Sequence, residues 1–356
     1  MGGSGAHYRH QGGMRGASVA ATVARAGRTE QVMTGARLLL SATVAMGMAS
    51  LAPVQSRAQS YPLKPIKLVV PFPAGGATDT AARLVAQRLQ IGLGQTVVIE
   101  NQGGAGGSIG ARQVVTAAPD GYTLMMGSLS TFGTHPVLYK LDYDPMKAFA
   151  PVASAVIDKL VMVAGPALQA KTIQELVDHA KANPGKLNYG NAIGIGPHFT
   201  AEMFKIKAGV DIVHIPYRGG APMISDLIAG QIHMTINGKS VLLQHMAAGK
   251  VRPLAVTSAR RWSDHPGVPT LLEVGYLDMP YDTLFGVVAP AGTPAAIIAK
   301  LNATINDGLR STETRAALEK LGIEPLITTP DEFAALIAEE APKWADAVRQ
   351  TGIKIE

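Results

Sequence analysis

The chain has 356 residues, 47% of them hydrophobic and 16% charged, a globular composition that excludes a disordered chain or a polyelectrolyte. The formal charge of +6 is concentrated in residues 1–58, which hold six of the 32 Lys and Arg residues and one of the 26 Asp and Glu residues. The rest of the chain is close to neutral and has no basic stripe, so we expect no nucleic-acid partner. Its length fits two domains.

The first 58 residues have the pattern of a secretory leader. Arg37 precedes an uncharged run of 14 residues, Leu38–Leu51, and a small-residue sequence ends at Ala58. This pattern predicts a signal peptide cleaved after Ala58, with Met33 as an alternative start. The run is too short for a transmembrane helix, and an uncleaved interfacial anchor is the rival interpretation. The chain contains no cysteine, which excludes a disulfide framework and a lipid-anchored Cys.

From residue 59 onward, strands alternate with helices, which predicts an α/β fold with parallel sheets in two lobes. Strands are expected at 66–70, 97–100, 123–127, 187–189, 212–215, 232–236, 254–257 and 285–288. Helices are expected at 79–89, 108–117, 172–182, 197–207, 223–229, 241–248, 295–309, 313–321 and 330–350. Ligands in such folds bind beyond the carboxyl ends of the strands. The loops to consider are therefore 71–78, 101–107, 128–135, 190–197, 216–220, 237–240 and 258–284.

The first of these loops follows a β-branched strand and contains Pro73-Ala74-Gly75-Gly76. A helix then begins near Thr78, so the loop could bring backbone N–H groups and a helix N-terminus to one point, which suits an anion. A tight strand-to-helix turn without a ligand is the alternative. Asp79 lies in the first turn of the helix, where we expect it to stabilise the helix rather than contact a ligand.

The glycine-rich loop 103–110 does not fit an enzyme motif. A dinucleotide fingerprint needs glycine where Ile109 stands. Ser108 lies in a formal G-x-S-x-G, but seven residues separate it from Glu100, whereas a nucleophile elbow follows its strand at once. We interpret Ser108 as a helix N-cap, with an exported serine hydrolase as a remote alternative.

The histidines show no metal-binding spacing, so no metal and no cofactor is predicted. His198 could reach a ligand from the start of its helix or be a capping or packing residue. Arg218 could pair with a carboxylate or be a solvated surface side chain. Asp282 is a further candidate in the segment that returns to the first lobe. Glycine-rich loops without a nucleophile, base or metal indicate binding of a small anion rather than its chemical conversion.

Several long segments make the chain resemble a known receptor family, the Bug-type substrate-binding proteins of tripartite tricarboxylate transporters. They are VVPFPAGGATDTAAR (69–83), NQGGAGGSIGA (101–111), PDGYTL (119–124), YKLDYDPMKAFAPV (139–152), HIPYRGGAPMISDLIAGQI (214–232), VPTLLEVG (268–275) and FGVVAPAGTP (285–294).

The resemblance implies a two-lobed, type II-like Venus-flytrap receptor of the periplasm, each lobe a mainly parallel sheet flanked by helices, with the ligand cleft between the lobes. Residues 59–164 and 283–356 would form lobe 1, and 165–282 lobe 2. Backbone amides of the first loop would hold a carboxylate. The implied ligand-binding residues are Phe72, Pro73, Ala74, Gly75, Gly76, Thr78, Ser128 and Thr131 from the first lobe, and Asn191, Gly194, His198 and Arg218 from the second.

One segment departs from the family. Ile193 and Ile195 stand where relatives commonly carry serines, which favours a ligand with one carboxylate and an apolar or aromatic remainder over citrate or an amino acid. The implied function is capture of an organic acid by a monomeric receptor, not an enzyme, and its delivery to membrane permease subunits. A sensor kinase is the alternative partner.

Overall fold

The structure, a computed structural model, describes residues 61–354. Its strands are β1 (Ile66–Val70), β2 (Val97–Asn101), β3 (Thr123–Ser128), β4 (Phe149–Asp158), β5 (Leu160–Ala164), β6 (Leu187–Ala192), β7 (Ile212–Tyr217), β8 (Met234–Gly238), β9 (Arg252–Val256), β10 (Thr283–Pro290) and β11 (Glu324–Pro325). Its helices are α1 (Ala77–Leu93), α2 (Ser108–Val115), α3 (Leu129–Leu138), α4 (Pro145–Ala148), α5 (Ile173–Ala182), α6 (Gly196–Ala208), α7 (Gly220–Ile228), α8 (Lys239–Ala247), α9 (Ala295–Arg310), α10 (Thr312–Leu321) and α11 (Pro330–Thr351). The predicted leader and its cleavage site lie outside the described residues.

Two sheets form two lobes, which confirms the predicted two-lobed α/β architecture. The first sheet has the order β11-β4-β10-β3-β1-β2 and the second the order β7-β6-β8-β5-β9. The apolar strand β1 pairs in parallel with β2 and β3 and is almost wholly buried, as expected for a central strand covered by helices on both faces. None of the described helices combines the length and the hydrophobicity needed to cross a membrane.

The sheets are mixed rather than mainly parallel, which corrects the expectation for each lobe. β10 runs antiparallel to both β3 and β4, and β5 runs antiparallel to both β8 and β9. The reason is that the chain passes between the lobes along these strands instead of through a helical crossover. A βαβ unit makes its two strands parallel, whereas a strand that enters a sheet from the other lobe can run antiparallel to its neighbours.

The first crossing between the lobes is a single residue, Lys159, between β4 of the first sheet and β5 of the second. It lies before the boundary expected at Gly165, so β5 belongs to the second sheet. The sequence does not mark this crossing, because residues 152–164 form a nearly continuous apolar run in which one strand and two strands look alike. The second crossing precedes β10, which begins at Thr283.

The C-terminal helix α11 packs against both lobes. Phe333, near its start, is buried in a cluster with residues of β1, β3 and β10. Trp344, near its end, is buried in the main core of the second lobe. Helix α11 also packs along α3, a helix that occupies the segment 128–135 expected to be a loop. This helix was missed because Gly133 and Pro136 interrupt its sequence, and both residues disfavour a helix interior.

Candidate functional site

A cavity of about 70 Å³ lies between the two sheets. A single water molecule needs roughly 10–15 Å³ on this measure, so the cavity is large enough to hold a small ligand. Its walls come from the first loop, the strand ends at the crossings and the starts of helices in both lobes. The lining residues are Phe72, Pro73, Gly76, Ala77, Thr78, Ser128, Asp158, Leu160, Ala192, Ile195, Gly196, Pro197, Gly219, Gly220, Met223, Asn237, Gly238, Thr283 and Phe285.

Five helices begin at this cavity. The N-cap residues of α1, α3, α6, α7 and α8 all line it. These residues are, in the same order, Gly76, Ser128, Ile195, Gly219 and Gly238. None of the five makes a side-chain capping hydrogen bond to its helix. The first N–H groups of a helix have no intrahelical acceptor and carry the positive end of the helix dipole. Their convergence creates a region of positive potential, although no Lys or Arg is among the described residues that line the cavity.

The first loop is held in place by Asp79, which is buried at the start of α1. Its carboxylate accepts hydrogen bonds from the Gly75 N–H at 3.0 Å, from Arg83 at 2.9 Å and from Asn101 Nδ2 at 3.0 Å. Burial alone would raise the pKa of Asp79, but the hydrogen bonds from Arg83, Gly75 and Asn101 outweigh it and lower that pKa. Asp79 therefore has the structural role expected of it and leaves the next N–H groups to face the cavity.

Glycines lie where the starts of α1 and α7 approach each other at the cavity. A Cβ atom on Gly219 would lie 3.4 Å from Pro73, and one on Gly220 would lie 3.6 Å from the Cα atom of Gly76. Gly75 has φ +83°, a conformation that favours glycine. The starts of α1 and α7 therefore lie close together, with about the space of a methyl group between them at Gly219 and Gly220.

Asp158 ends β4 and is the one ionisable side chain among the described residues that line the cavity. It occupies the N-terminus of α8, where its carboxylate accepts hydrogen bonds from the Ser240 N–H at 3.0 Å and from the Ser240 hydroxyl. Burial raises the pKa of Asp158 to about 7; the Ser240 bonds lower it in part, and nearby Asp282 raises it further. Sequence analysis missed this residue, although a lone carboxylate within an apolar run is a signal of a special environment.

Thr283 lies beside Asp158 as its cross-strand partner on β10. It lines the cavity, is 6% exposed, and its Oγ1 atom has no hydrogen-bond partner. A buried hydroxyl without a hydrogen-bond partner destabilises the folded state, so we expect a ligand or a water molecule to bond to this atom. Sequence analysis did not single out Thr283, because its position at the crossing depends on the tertiary fold.

The predicted site residues divide into three groups. Those that line the cavity are Phe72, Pro73, Gly76, Thr78 and Ser128. Seven others do not line it: Ala74 and Gly75 are exposed, and Thr131, Asn191, Gly194, His198 and Asp282 lie in neighbouring parts of the two lobes. Arg218 is exposed and lines a second, larger cavity of about 1010 Å³ together with Ile193, Tyr139 and the loop 103–107.

Two of these seven residues organise α3 and its contact with the second lobe. The Thr131 hydroxyl donates to the Ser128 carbonyl at 2.6 Å and so closes the first turn of α3. The Gly194 carbonyl accepts a hydrogen bond from the Thr134 hydroxyl at 3.0 Å, which joins the two lobes.

Asn191 and Asp282 sit behind the cavity wall. The Asn191 side chain donates to the Ile236 carbonyl at 3.2 Å. Asp282 accepts from the Ser258 hydroxyl at 2.9 Å and the Leu160 N–H at 3.4 Å, and burial raises its pKa.

His198 is a packing residue in the described structure. It is 2% exposed and stacks on His214, with ring centroids 4.3 Å apart, and on Tyr189. Burial lowers the pKa of His198 to about 3, and the neighbouring His214 and Lys205 lower it further. The ring is therefore neutral at pH 7.

Acidification is expected to destabilise the protein through His198. The unfolded chain protonates this side chain near pH 6.5 and the folded chain only near pH 3, so its contribution to stability is present above 6.5 and is lost as the pH falls. We expect the wild type to lose about 2 kcal/mol more than His198→Asn between pH 7 and pH 5, at about 1.4 kcal/mol per pH unit.

Urea unfolding of both proteins at the two pH values measures this difference. The raised pKa values of Asp158 and Asp282 act in the opposite direction, but they are common to both proteins and cancel. Equal losses in the two proteins would contradict the prediction.

Ser108 is the first residue of α2, and Gly107, with φ +105°, occupies the N-cap position expected for Ser108. Glycine is favoured at this position because a positive φ is strained for any residue with a Cβ atom. Within residues 61–354, no hydrogen bond links the Ser108 hydroxyl to a histidine or carboxylate. No group of His, Cys, Asp or Glu side chains in the same range is arranged to hold a metal ion.

Comparison with known proteins decides the family. The sequence profile described as "Tripartite tricarboxylate transporter family receptor" matches residues 81–353. The chain belongs to this receptor family. BugT of Bordetella pertussis is 38% identical over 303 residues, which cover 84% of this chain and 93% of that protein.

Solved structures of the receptor family have the same fold. The periplasmic binding protein BugD is 36% identical, with a TM-score of 0.79, and the match covers 83% of this chain and 100% of that one. An R. palustris protein solved with adipate is 34% identical, also with a TM-score of 0.79 and the same coverage. The recognition as a Bug-type receptor and the periplasmic-binding-protein fold are thereby confirmed.

Proposed function

We propose that this receptor captures a small organic acid in the periplasm and delivers it to the membrane subunits of a tripartite tricarboxylate-type transporter. The observation that carries the proposal is the convergence of five helix N-termini on one interlobe cavity. The first turns of α3, α6 and α7 contain no acidic residue, and the Asp79 carboxylate in the first turn of α1 bonds to Gly75, Arg83 and Asn101 rather than to the N–H groups that begin the helix. A ligand carboxylate placed there would accept several charge-assisted hydrogen bonds at once.

The apolar residues of the cavity wall determine which group the ligand can carry besides its carboxylate. Phe72, Leu160, Ile195, Met223 and Phe285 line the cavity. They offer dispersion and hydrophobic contact but no partner for a second or third charge. The departure at Ile195 therefore supports a ligand with one carboxylate and an apolar or aromatic remainder.

Delivery to a transporter and residence in the periplasm rest on the family. The relative BugD is a periplasmic binding protein, and the adipate-bound relative holds a carboxylate ligand. Co-purification of the closed receptor with permease subunits, rather than with the outer domain of a sensor kinase, would support the transporter as the partner.

Thermal melting against matched pairs of ligands tests the anion site. Benzoate and benzamide have nearly the same shape and differ in charge, and adipate, malate and citrate extend the series. A carboxylate at 100 times its dissociation constant adds about 2.7 kcal/mol of stability, a shift of roughly a few degrees in a protein of this size. Shifts by benzamide as large as those by benzoate would contradict an anion site, and tightest binding of citrate would contradict an apolar remainder.

Removal of one backbone donor gives a sharper prediction. Ala77 is the first residue of α1, a position where proline is tolerated because its N–H has no intrahelical acceptor. We expect Ala77→Pro to weaken carboxylate binding by about 1.5–3 kcal/mol, the contribution of one hydrogen bond to a charged group. Isothermal titration calorimetry with the best-binding carboxylate measures the loss.

The matched control is Thr312→Pro. Thr312 is the exposed first residue of α10, away from the cavity. The Thr312→Pro substitution also places proline at the first position of a helix, and it should leave the affinity for the carboxylate unaltered. Equal affinities of the Ala77→Pro and wild-type proteins would show that the start of α1 does not hold the anion.

A further inference from the structure

The cavity that favours an anion also contains a carboxylate of the protein. Asp158 is 1% exposed and lines the cavity together with the N-cap residues of α1, α3, α6 and α7. Two carboxylates in one desolvated site repel strongly, so one of them must carry a proton when both are present. The ligand's carboxylate is stabilised by four helix N-termini and Asp158 by one, that of α8.

Within residues 61–354, no Lys, Arg or His forms an ion pair with Asp158. Lys159, next to it at the crossing, pairs with Glu324 on β11, and the side chain of Lys239 on α8 pairs with Asp264. On the third side, Asp282 precedes β10 and adds a like charge. The remaining neighbour, Thr283, is uncharged, and its hydroxyl lacks a partner. These surroundings favour the neutral acid, in agreement with the raised pKa of Asp158.

We propose that ligand capture is coupled to protonation: Asp158 takes up one proton from solvent when the cavity closes on a carboxylate, and it faces the bound anion as a neutral acid. This inference rests on the proposed function and adds a regulatory property to the same site. In this binding reaction, the receptor with ionised Asp158 combines with one ionised ligand and one proton. The product is the complex in which Asp158 is protonated.

A dependence of affinity on pH follows. Below pH 7 the free receptor already carries the proton, and the affinity is independent of pH. Above pH 7 the proton must be bound together with the ligand, so the apparent dissociation constant rises about tenfold per pH unit until the pKa of the complex is reached. Release of the ligand is thus favoured on the more alkaline side.

The test is titration calorimetry with benzoate, adipate and malate between about pH 6 and pH 9, where these probes are ionised. Measurement in two buffers of different ionisation enthalpy counts the protons taken up. We expect about one proton per ligand at pH 8 and almost none at pH 6. Asp158→Asn, an isosteric mimic of the neutral acid, should bind without proton uptake and with an affinity that does not change with pH.

Asp282→Asn is the matched control, because Asp282 is buried beside Asp158 but outside the cavity wall. Its removal takes away a like charge, so the pH dependence should persist with its break at a lower pH. Binding without proton uptake, or equal uptake by wild type and Asp158→Asn, would overturn the coupling and leave the receptor function intact. Loss of all binding in Asp158→Asn would also overturn it, since Asp158 would then act as an anion. Failure of every carboxylate to bind the wild type at any pH would overturn both the proposed function and this inference.

Discussion

The Trp344→Ala variant is expected to lose about 3–5 kcal/mol of unfolding free energy, the usual cost of removing a large buried aromatic side chain. Trp344 is 2% exposed, and its ring contacts Tyr281, with centroids 5.2 Å apart. It also lies against Gly196, where a Cβ atom would come within 2.8 Å of the indole. Because Gly196 begins α6 at the cavity, loss of the indole should also weaken carboxylate binding.

Phe333→Ala separates the two effects. Phe333 lies on the same helix, α11, and is 1% exposed, but it is buried in the first lobe against Gly286. We expect a similar loss in urea-measured stability with little change in affinity under conditions where both variants are folded. If both variants lose affinity equally, α11 does not position α6, and the effect of Trp344 is one of stability alone.

The sequence was sufficient to predict the elements with strong local signals. The β-branched run at residues 66–70 and the glycines that follow it indicate β1 and the start of α1, both of which the structure confirms; the anion-binding role of the loop between them stays a prediction. Those signals are local, since they depend on side-chain branching and on the backbone freedom of glycine. Asp79 was assigned its structural role for the same reason, because a carboxylate in a first helical turn is stabilised by the helix itself.

The features that sequence analysis missed depend on tertiary placement. Asp158 is an ordinary strand residue until the crossing at Lys159 turns it toward the start of α8. His198 was open to a ligand-binding interpretation because its stack with His214 joins α6 to β7, elements whose distance the sequence does not give. The sequence can indicate individual helix N-termini. Their convergence on one cavity depends on how the chain passes between the two sheets, which the sequence does not give.

The site also explains why the cavity needs no basic side chain. A lysine or arginine would hold any anion, and it would hold it even in an open cleft. In the proposed anion site, helix N-termini from both lobes can contact one ligand only when the lobes are together, because α1 and α3 belong to the first lobe and α6 and α7 to the second. Binding energy is then realised in the closed state, which is the condition for a ligand to shift the open–closed equilibrium.

Gly133→Ala is expected to destabilise the protein by about 3 kcal/mol or more, although alanine is the better helix former by about 1 kcal/mol. Gly133 lies within α3 where that helix meets α11. A Cβ atom there would collide with the Ala341 carbonyl oxygen and come within 2.9 Å of the Trp344 Cβ atom. Both obstacles lie on the buried face of α11 and close to its backbone, so α3 or α11 must shift, and α3 has its N-terminus at the cavity.

Gly267→Ala is the control for this substitution, since a Cβ atom at Gly267 meets no atom within 4 Å and the residue has no positive φ. Urea unfolding should show a nearly unchanged stability for Gly267→Ala and a large loss for Gly133→Ala. A gain in stability for Gly133→Ala would contradict the prediction and mean that helix propensity outweighs the contact between α3 and α11. A loss in stability accompanied by weaker carboxylate binding would link the packing of these two helices to the position of the α3 N-terminus, and hence to the anion site.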